Sequence, residues 1–347
     1  MEHLREITEP LLQWFQLNKR DLPWRRTKDP YPIWVSEIML QQTRVEAVKP
    51  YYERFLQTLP TVKDLAEADE ETILKLWEGL GYYSRVRNMQ KAAIQVMEEH
   101  NGQFPADHKM LLSLKGIGPY TAGAVGSIAF NLPVPAVDGN VLRVMSRITA
   151  DASDISLQST KKDWEERITD IMPAKSPGDF NQALMELGAT VCLPNGAPKC
   201  EICPVRKYCE AYRKGATQTY PVKAEKKART IEHLNVFFCT DRQKIAIHKR
   251  GQKGLLSGLW ELPNTDREIA LPAALQELGI LQAEIIPMKN RKHIFTHIEW
   301  HMDCYFVKVS EKKESELLWL SIEDAETSYA LPSAFKKTWQ EGLEIIK

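Results

Sequence analysis

The chain of 347 residues carries no net charge, with 46 lysines and arginines against 46 aspartates and glutamates. No overall basic character announces a polyanionic partner, so any grip on nucleic acid must come from local clusters. No uninterrupted apolar stretch approaches the roughly 18 residues of a membrane span; a cytoplasmic bacterial protein without a membrane partner is the expectation. Cysteine is scarce, six in all, too few for a disulfide scaffold at this length. No internal repeat or low-complexity tract is evident. What is present is length beyond one typical domain, which predicts two units, each able to bury its own core.

From Leu11 to about Arg213 the apolar residues recur at helical spacing, as in "LAEADEETILKLWEGL" and "NMQKAAIQVMEEH". Residues 1–213 therefore read as an all-helical region. The charged stretch "KGATQTYPVKAEKKARTIE", Lys214 to Glu232, has no apolar period and reads as a linker. Beyond it, residues 233–347 read as an α+β domain, with β-rich runs "HLNVFFC", "KIAIHK" and "DCYFVKV" around one helical segment, "IALPAALQELG".

Within the helical region, "MLLSLKGIGPYTAGAVGSIAF" reads as helix, glycine turn and second helix. Gly116 and Gly118 permit positive φ and close backbone approach, and the second helix turns unpaired N–H groups outward, a geometry suited to phosphate. An ordinary helical hairpin with C-cap glycines fits the same residues. Shortly after, "VPAVDGN" sets Asp138 before "NVLRVMSRI", where it could simply cap that helix. Glu37 lies among apolar neighbours in "IWVSEIMLQQ", which would raise its pKa as a general acid requires; a glutamate near a helix start, favoured by the dipole, is the plainer alternative.

In this order, "DLPWR", "WVSEIMLQQTRV", "EGLGYYSRVRN", "LKGIGPYTAGAV" and "VDGN" resemble the endonuclease III, or helix-hairpin-helix, superfamily of DNA base-excision glycosylases. Within it they are similar to the MutY family of adenine DNA glycosylases, over essentially the whole chain. The resemblance implies that Glu37 protonates the departing adenine and Asp138 steadies the sugar cation, with Tyr120 and Asn140 holding the two carboxylates. Strand-cutting members carry a lysine in the hairpin turn that forms a Schiff base; Tyr120 stands there instead and cannot form an imine. The same resemblance implies DNA contacts at Arg25, Gln42, Tyr82, Arg85, Gly116 and Gly118, with Gln42 and Tyr82 wedged into the helix as adenine is flipped out. Core packing is the plain alternative for Tyr82 and Tyr83.

Cys192, Cys200, Cys203 and Cys209 are separated by seven, two and five residues. Spacing alone admits tetrahedral zinc or an iron-sulfur cluster, the compact uneven run leaning toward the latter. The resemblance implies [4Fe-4S], although the first gap is one residue longer than is usual in the family. Lys199, Arg206, Lys207, Arg213 and Lys214 around these cysteines could form a phosphate-binding face or an ordinary solvated surface.

"GLLSGLWELPN" and "LQELG" resemble a Nudix-type domain, but the helix offers only Glu277 where a diphosphate hydrolase needs several glutamates for magnesium. The family uses this domain to read the base opposite adenine through a Phe-Ser-His loop. Phe295, Thr296 and His297 stand in the matching place, threonine keeping the hydroxyl. The resulting expectation is a monomeric, monofunctional glycosylase acting on double-stranded DNA with A:8-oxoguanine or A:G mispairs. A bifunctional glycosylase/lyase acting on oxidised pyrimidines and a non-catalytic, metal-stabilised DNA-binding protein are the rivals.

Overall fold

The computed structural model describes residues 2–224 and 228–346. By its contacts the chain divides into two units, Met1–Glu67 with Asn88–Glu225, and Ala68–Arg87 with Lys226–Lys347. Ala68–Arg87 thus groups with the C-terminal residues, whereas its helical pattern alone leaves it in the first region.

The first unit is helical, as the 3.6-residue period predicts. Leu11, Phe15, Trp164, Phe180 and Leu184 sit in one core cluster and are almost wholly buried. The predicted hairpin is the pair of helices His108–Ser113 and Pro119–Phe130, with Gly116 at φ +75° in the turn between them. A Cβ at Gly116 would lie 2.6 Å from Cβ of Asn88, so conformation and space both demand glycine there. One turn into the second helix, a Cβ at Gly123 would fall 1.9 Å from the Pro135 carbonyl oxygen. The strand of chain leading to Asp138 therefore packs directly on the hairpin's second helix.

The start of the predicted linker is tied to this unit, since Tyr220 O accepts from Arg147 Nε at 2.9 Å and Val222 O from Ile155 N at 3.1 Å. Residues 225–227 of the linker lie outside the described residues. Its end is already strand.

The second unit holds a mixed sheet of eight strands among the described residues. They are β1 (Thr230–Thr240), β2 (Ile245–Lys249), β3 (Trp260–Glu261), β4 (Asn264–Asp266), β5 (Ile280–Pro287), β6 (Arg291–Ile294), β7 (Ile298–Lys312) and β8 (Leu318–Leu320). The spine is the parallel pair β1 and β7, in register from Thr230 with Ile298 to Thr240 with Lys308. Antiparallel β5 and β6 lie along β7, and β2 and β4 along β1. One sheet face is buried through Val236, Phe238, Trp300, Met302 and Phe306, the other through Phe237, Cys239 and Val307. Cys239 and Cys304 are apolar strand residues, as read from sequence.

Besides the expected helix Leu271–Glu277, the unit contains Ile322–Ser328 and Lys336–Ile346, which the sequence reading missed. A cap signal was there to find: Ser321 accepts from Asp324 N at 3.0 Å at the start of the former. Phe335, just before the latter, and Trp339 within it both join the sheet's core cluster.

Candidate functional site

Glu37 lies in the helix Pro30–Met39, started by Asp29, whose side chain accepts from Tyr31 N at 2.9 Å. It sits near the helix's C-terminal end, so the favourable-dipole explanation for a glutamate does not apply. Its residue exposure is 6%, among Trp34, Val35 and Ile38. Tyr120, in the first turn of Pro119–Phe130, donates its hydroxyl to Glu37 Oε2. Burial pushes the Glu37 pKa up to about 7; the Tyr120 bond and the Arg25 charge oppose this, and the Asp138 charge adds to it. Burial also raises the Tyr120 pKa well above its ordinary value, so the phenol stays a donor.

Asp138 does cap the helix Gly139–Thr149: Oδ1 accepts from Val141 N at 2.8 Å, and Oδ2 from Asn140 Nδ2 at 2.7 Å. Burial raises its pKa, opposed by these hydrogen bonds and by the Arg143 charge. Capping and catalysis are not alternatives here, because the cap fixes where the carboxylate stands. Glu37, Tyr120, Asp138 and Asn140 are brought together in one group, Glu37 buried and the other three partly so, in which the Asp138 charge helps raise the Glu37 pKa.

Two arginines that the sequence reading passed over lie one turn apart on the same helix. Arg143 donates to Asn140 Oδ1 at 2.9 Å, Gly188 O at 2.8 Å and Cys192 O at 2.9 Å. Arg147 donates to Leu193 O at 2.8 Å and Cys192 Sγ at 3.3 Å, while its carbonyl accepts from Cys209 Sγ at 3.3 Å. A continuous polar path thus runs from Asp138 through Asn140 and Arg143 to the backbone of Cys192. Their signal was two arginines four apart within the apolar "NVLRVMSRI", which had to be buried and partnered.

Cys192, Cys200, Cys203 and Cys209 line one partly open cavity with Val144, Leu187 and Val205. Among the described residues no set of three or more His, Cys, Asp or Glu closes into metal-ligand geometry. The donor set nevertheless fits a thiolate-held metal centre. Burial raises the Cys203 thiol to about 12, neighbouring sulfurs push the same way, and backbone N–H groups at Val205, Ala211 and Tyr212 offset this at Cys203 and Cys209. Four ionised sulfurs in such a cavity require a cation among them. The surrounding basic residues are partly committed, with Arg206 paired to Glu201 and Arg213 to Glu210 at 2.5 Å.

Gln42 is exposed and holds φ +62°, a conformation costly for a residue with a Cβ. Gly118 is the N-cap of Pro119–Phe130 with no side-chain cap, and a Cβ there would meet no atom within 4 Å. Arg25, expected among DNA contacts, is turned inward. It donates to Glu186 at 2.8 Å, Gln182 at 3.2 Å and Arg20 O at 3.1 Å, with its side chain 14% exposed.

Tyr82 and Arg85 belong to the second unit. Tyr82 is 47% exposed at φ +48°, and Arg85 donates to Leu80 O at 3.0 Å and Gly81 O at 3.1 Å, bracing that loop from behind. Phe295 packs edge-on against Trp300 at 4.9 Å, anchoring a turn on which Thr296 and His297 are exposed. Thr230 N donates to His297 O at 2.9 Å and Arg229 Nε to Phe295 O at 3.1 Å. The Tyr82 hydroxyl and Thr296 Oγ1 lie 2.6 Å apart, hydrogen-bonded.

Residues 35–173 match the HhH-GPD superfamily base excision DNA repair proteins, and residues 235–341 the NUDIX domain. The chain is 36% identical to an adenine DNA glycosylase of Arabidopsis thaliana over 85% of its own length, but spans only 56% of that protein. It is 36% identical to one of Mus musculus, covering 95% of this chain and 73% of the other. For one of Buchnera aphidicola the identity is 32%, with 98% and 99% covered. A thermostable thymine-DNA glycosylase structure superposes with a TM-score of 0.56 at 31% identity, over 61% of this chain and 98% of that one. Among the described residues no helix is long and apolar enough to cross a membrane.

Proposed function

We infer that this chain, which belongs to the adenine DNA glycosylase family, removes adenine from DNA in base-excision repair by hydrolysing its N-glycosidic bond. The adenine it takes is the one mispaired with 8-oxoguanine or guanine. Rupture of that bond leaves positive charge on the deoxyribose and negative charge on the departing purine. Glu37 supplies the proton to the purine, since a carboxyl with a pKa near 7 is protonated often enough at neutral pH and still acidic enough to give the proton up. Asp138, held by Val141 N and Asn140, offers its carboxylate to the sugar cation. The observation that carries the reading is this pair of carboxyls, Glu37 buried and accepting from the Tyr120 hydroxyl, and Asp138 partly buried and fixed as a helix cap.

Tyr120 occupies the turn where strand-cutting relatives would present a lysine, so water completes the hydrolysis and the strand stays intact. Adenine must leave the stack to reach Glu37, and the strained, exposed Gln42 and Tyr82 suit the gap it vacates. Thr296 and His297 read the opposite base, and the open N–H groups at Gly118 hold a phosphate. Cys192, Cys200, Cys203 and Cys209 would hold a [4Fe-4S] cluster. When bound, such a cluster would cross-link the cysteine loop beneath Arg143 and Arg147. The protein would act as a monomer on nucleoid DNA.

The test is single-turnover excision on an A:8-oxoguanine duplex. Strand breaks should appear only after alkali, and borohydride should trap no covalent protein-DNA adduct. Breaks without alkali, together with an adduct, would favour a lyase; binding with no excision would favour a non-catalytic DNA-binding protein.

A further inference from the structure

The segment Ala68–Arg87 is pinned to the C-terminal residues of its own unit at points 170 or more positions away in sequence. Arg87 donates to Ser257 O at 2.7 Å and to Glu70 at 2.7 Å. Glu71 accepts from Trp260 Nε1 at 3.0 Å and from Lys249 Nζ at 3.0 Å. Lys75 donates to Tyr329 O at 3.0 Å, and Glu78 accepts from Leu331 N at 3.0 Å. Trp260 and Tyr329, which receive two of these contacts, also meet edge to face at 5.0 Å. Inside the segment, Trp77 Nε1 donates to Gly81 O at 3.0 Å and Arg85 holds the carbonyls of Leu80 and Gly81. The loop bearing Tyr82 is thereby fixed from both ends, and its tip reaches Thr296.

From these contacts we propose that Glu71, Glu78 and Arg87 are positioning residues for lesion preference: they fasten the Tyr82 loop to the body that carries Thr296 and His297, so that wedge and reading loop meet the opposite base as one rigid element. The inference rests on the reading of Thr296 and His297 as the lesion contact. Its physical basis is that a left-handed, half-exposed tyrosine keeps its place only if its surroundings over-determine it. The polar clamp does this with five hydrogen bonds to the C-terminal residues and one within the segment, all outside the catalytic group.

The experiment uses the full-length holoprotein and two duplexes, A:8-oxoguanine and A:G, under single-turnover conditions. The double variant Glu71→Ala/Arg87→Ala, which removes the bonds to Trp260, Lys249, Ser257 and Glu70, should lose roughly tenfold in preference for A:8-oxoguanine, equivalent to about 1.4 kcal/mol, with the A:G rate constant unchanged. Amide exchange across 79–83 in the DNA-free protein should speed up. The conservative pair Glu71→Gln/Arg87→Lys, which retains an acceptor for Trp260 and a donor for Ser257, should recover most of the preference. Should the alanine variant fold poorly, exchange and preference in the conservative pair, set against single Glu78→Gln, carry the test in the same way: faster exchange across 79–83 must accompany lower preference. Equal loss on both duplexes, or an unchanged ratio despite faster exchange, overturns the proposal. Thr296→Ala/His297→Ala is run in parallel. If it keeps the parental preference, the reading of the loop fails; if it loses preference while the clamp variants keep theirs, only the clamp proposal fails.

Discussion

The carboxylates of the first unit and the hydroxyls of the second are built in opposite ways. Glu37 is buried and Asp138 partly so, each with a fixed partner, and burial raises both pKa values. Thr296 and His297 are exposed at the tip of a turn, and the nearby Tyr82 is 47% exposed in a strained conformation. Bond cleavage gains from desolvation, because a proton donor at neutral pH and a preorganised counter-charge both need a dry site. Reading a base needs groups that water can leave and a nucleotide can replace. On the proposed function the difference makes chemistry and discrimination separable, and mutations in one region should leave the other's signature intact.

The largest effect is expected at Glu37. Glu37→Gln should lower single-turnover excision by about 10³-fold or more on both A:8-oxoguanine and A:G while duplex binding persists, because the proton donor is gone and its shape remains. Gel-shift binding and quenched-flow excision check it. Asp138→Asn should cost about 10²–10³-fold, again on both duplexes; the amide still accepts from Val141 N but brings no charge to the sugar cation. A selective loss on one duplex in either variant would break the comparison.

Arg143→Gln should have a smaller effect, roughly 10–100-fold on excision, accompanied by lower iron content on metal analysis. It sits between Asn140 and Cys192 O, so both ends of the polar path should suffer together. Normal iron with slow excision would restrict Arg143 to the Asp138 side. The smallest effect is expected from Thr296→Ala/His297→Ala, about tenfold in preference with the A:G rate constant little changed, equivalent to losing about 1–1.5 kcal/mol at the contact. Competition between the two duplexes measures it.

How much of this was legible in the sequence differs between the regions. The hairpin Gly116–Thr121, the Asp138 cap and Glu37's apolar setting follow from local pattern, since glycine geometry, capping and 3.6-residue periodicity act over a few residues. Arg25 illustrates the limit. Its inward turn depends on Glu186, 161 positions away, and nothing local distinguishes it from an arginine facing phosphate. Likewise nothing local marks Glu71, Glu78 and Arg87, whose partners Trp260, Leu331 and Ser257 arrive only with the tertiary fold. The helix Lys336–Ile346 was passed over because its core-facing apolar residues, Trp339, Leu343 and Ile346, are few, yet the sheet needs them as cover.

The central claim is that one buried acid serves both mispairs and a separate region ranks them. Single-turnover excision measured from pH 5 to pH 9 on both duplexes tests it most directly. Glu37 must be protonated to act, and burial sets its pKa near 7, so the rate should be lost as pH rises through about 7, by roughly tenfold for each unit above it. Because that acid lies in the first unit, the descending limb should fall at the same pH for A:8-oxoguanine and A:G, with the two curves separated by a constant factor. A limb that moves with the opposite base, or a rate that stays flat to pH 9, would contradict the account.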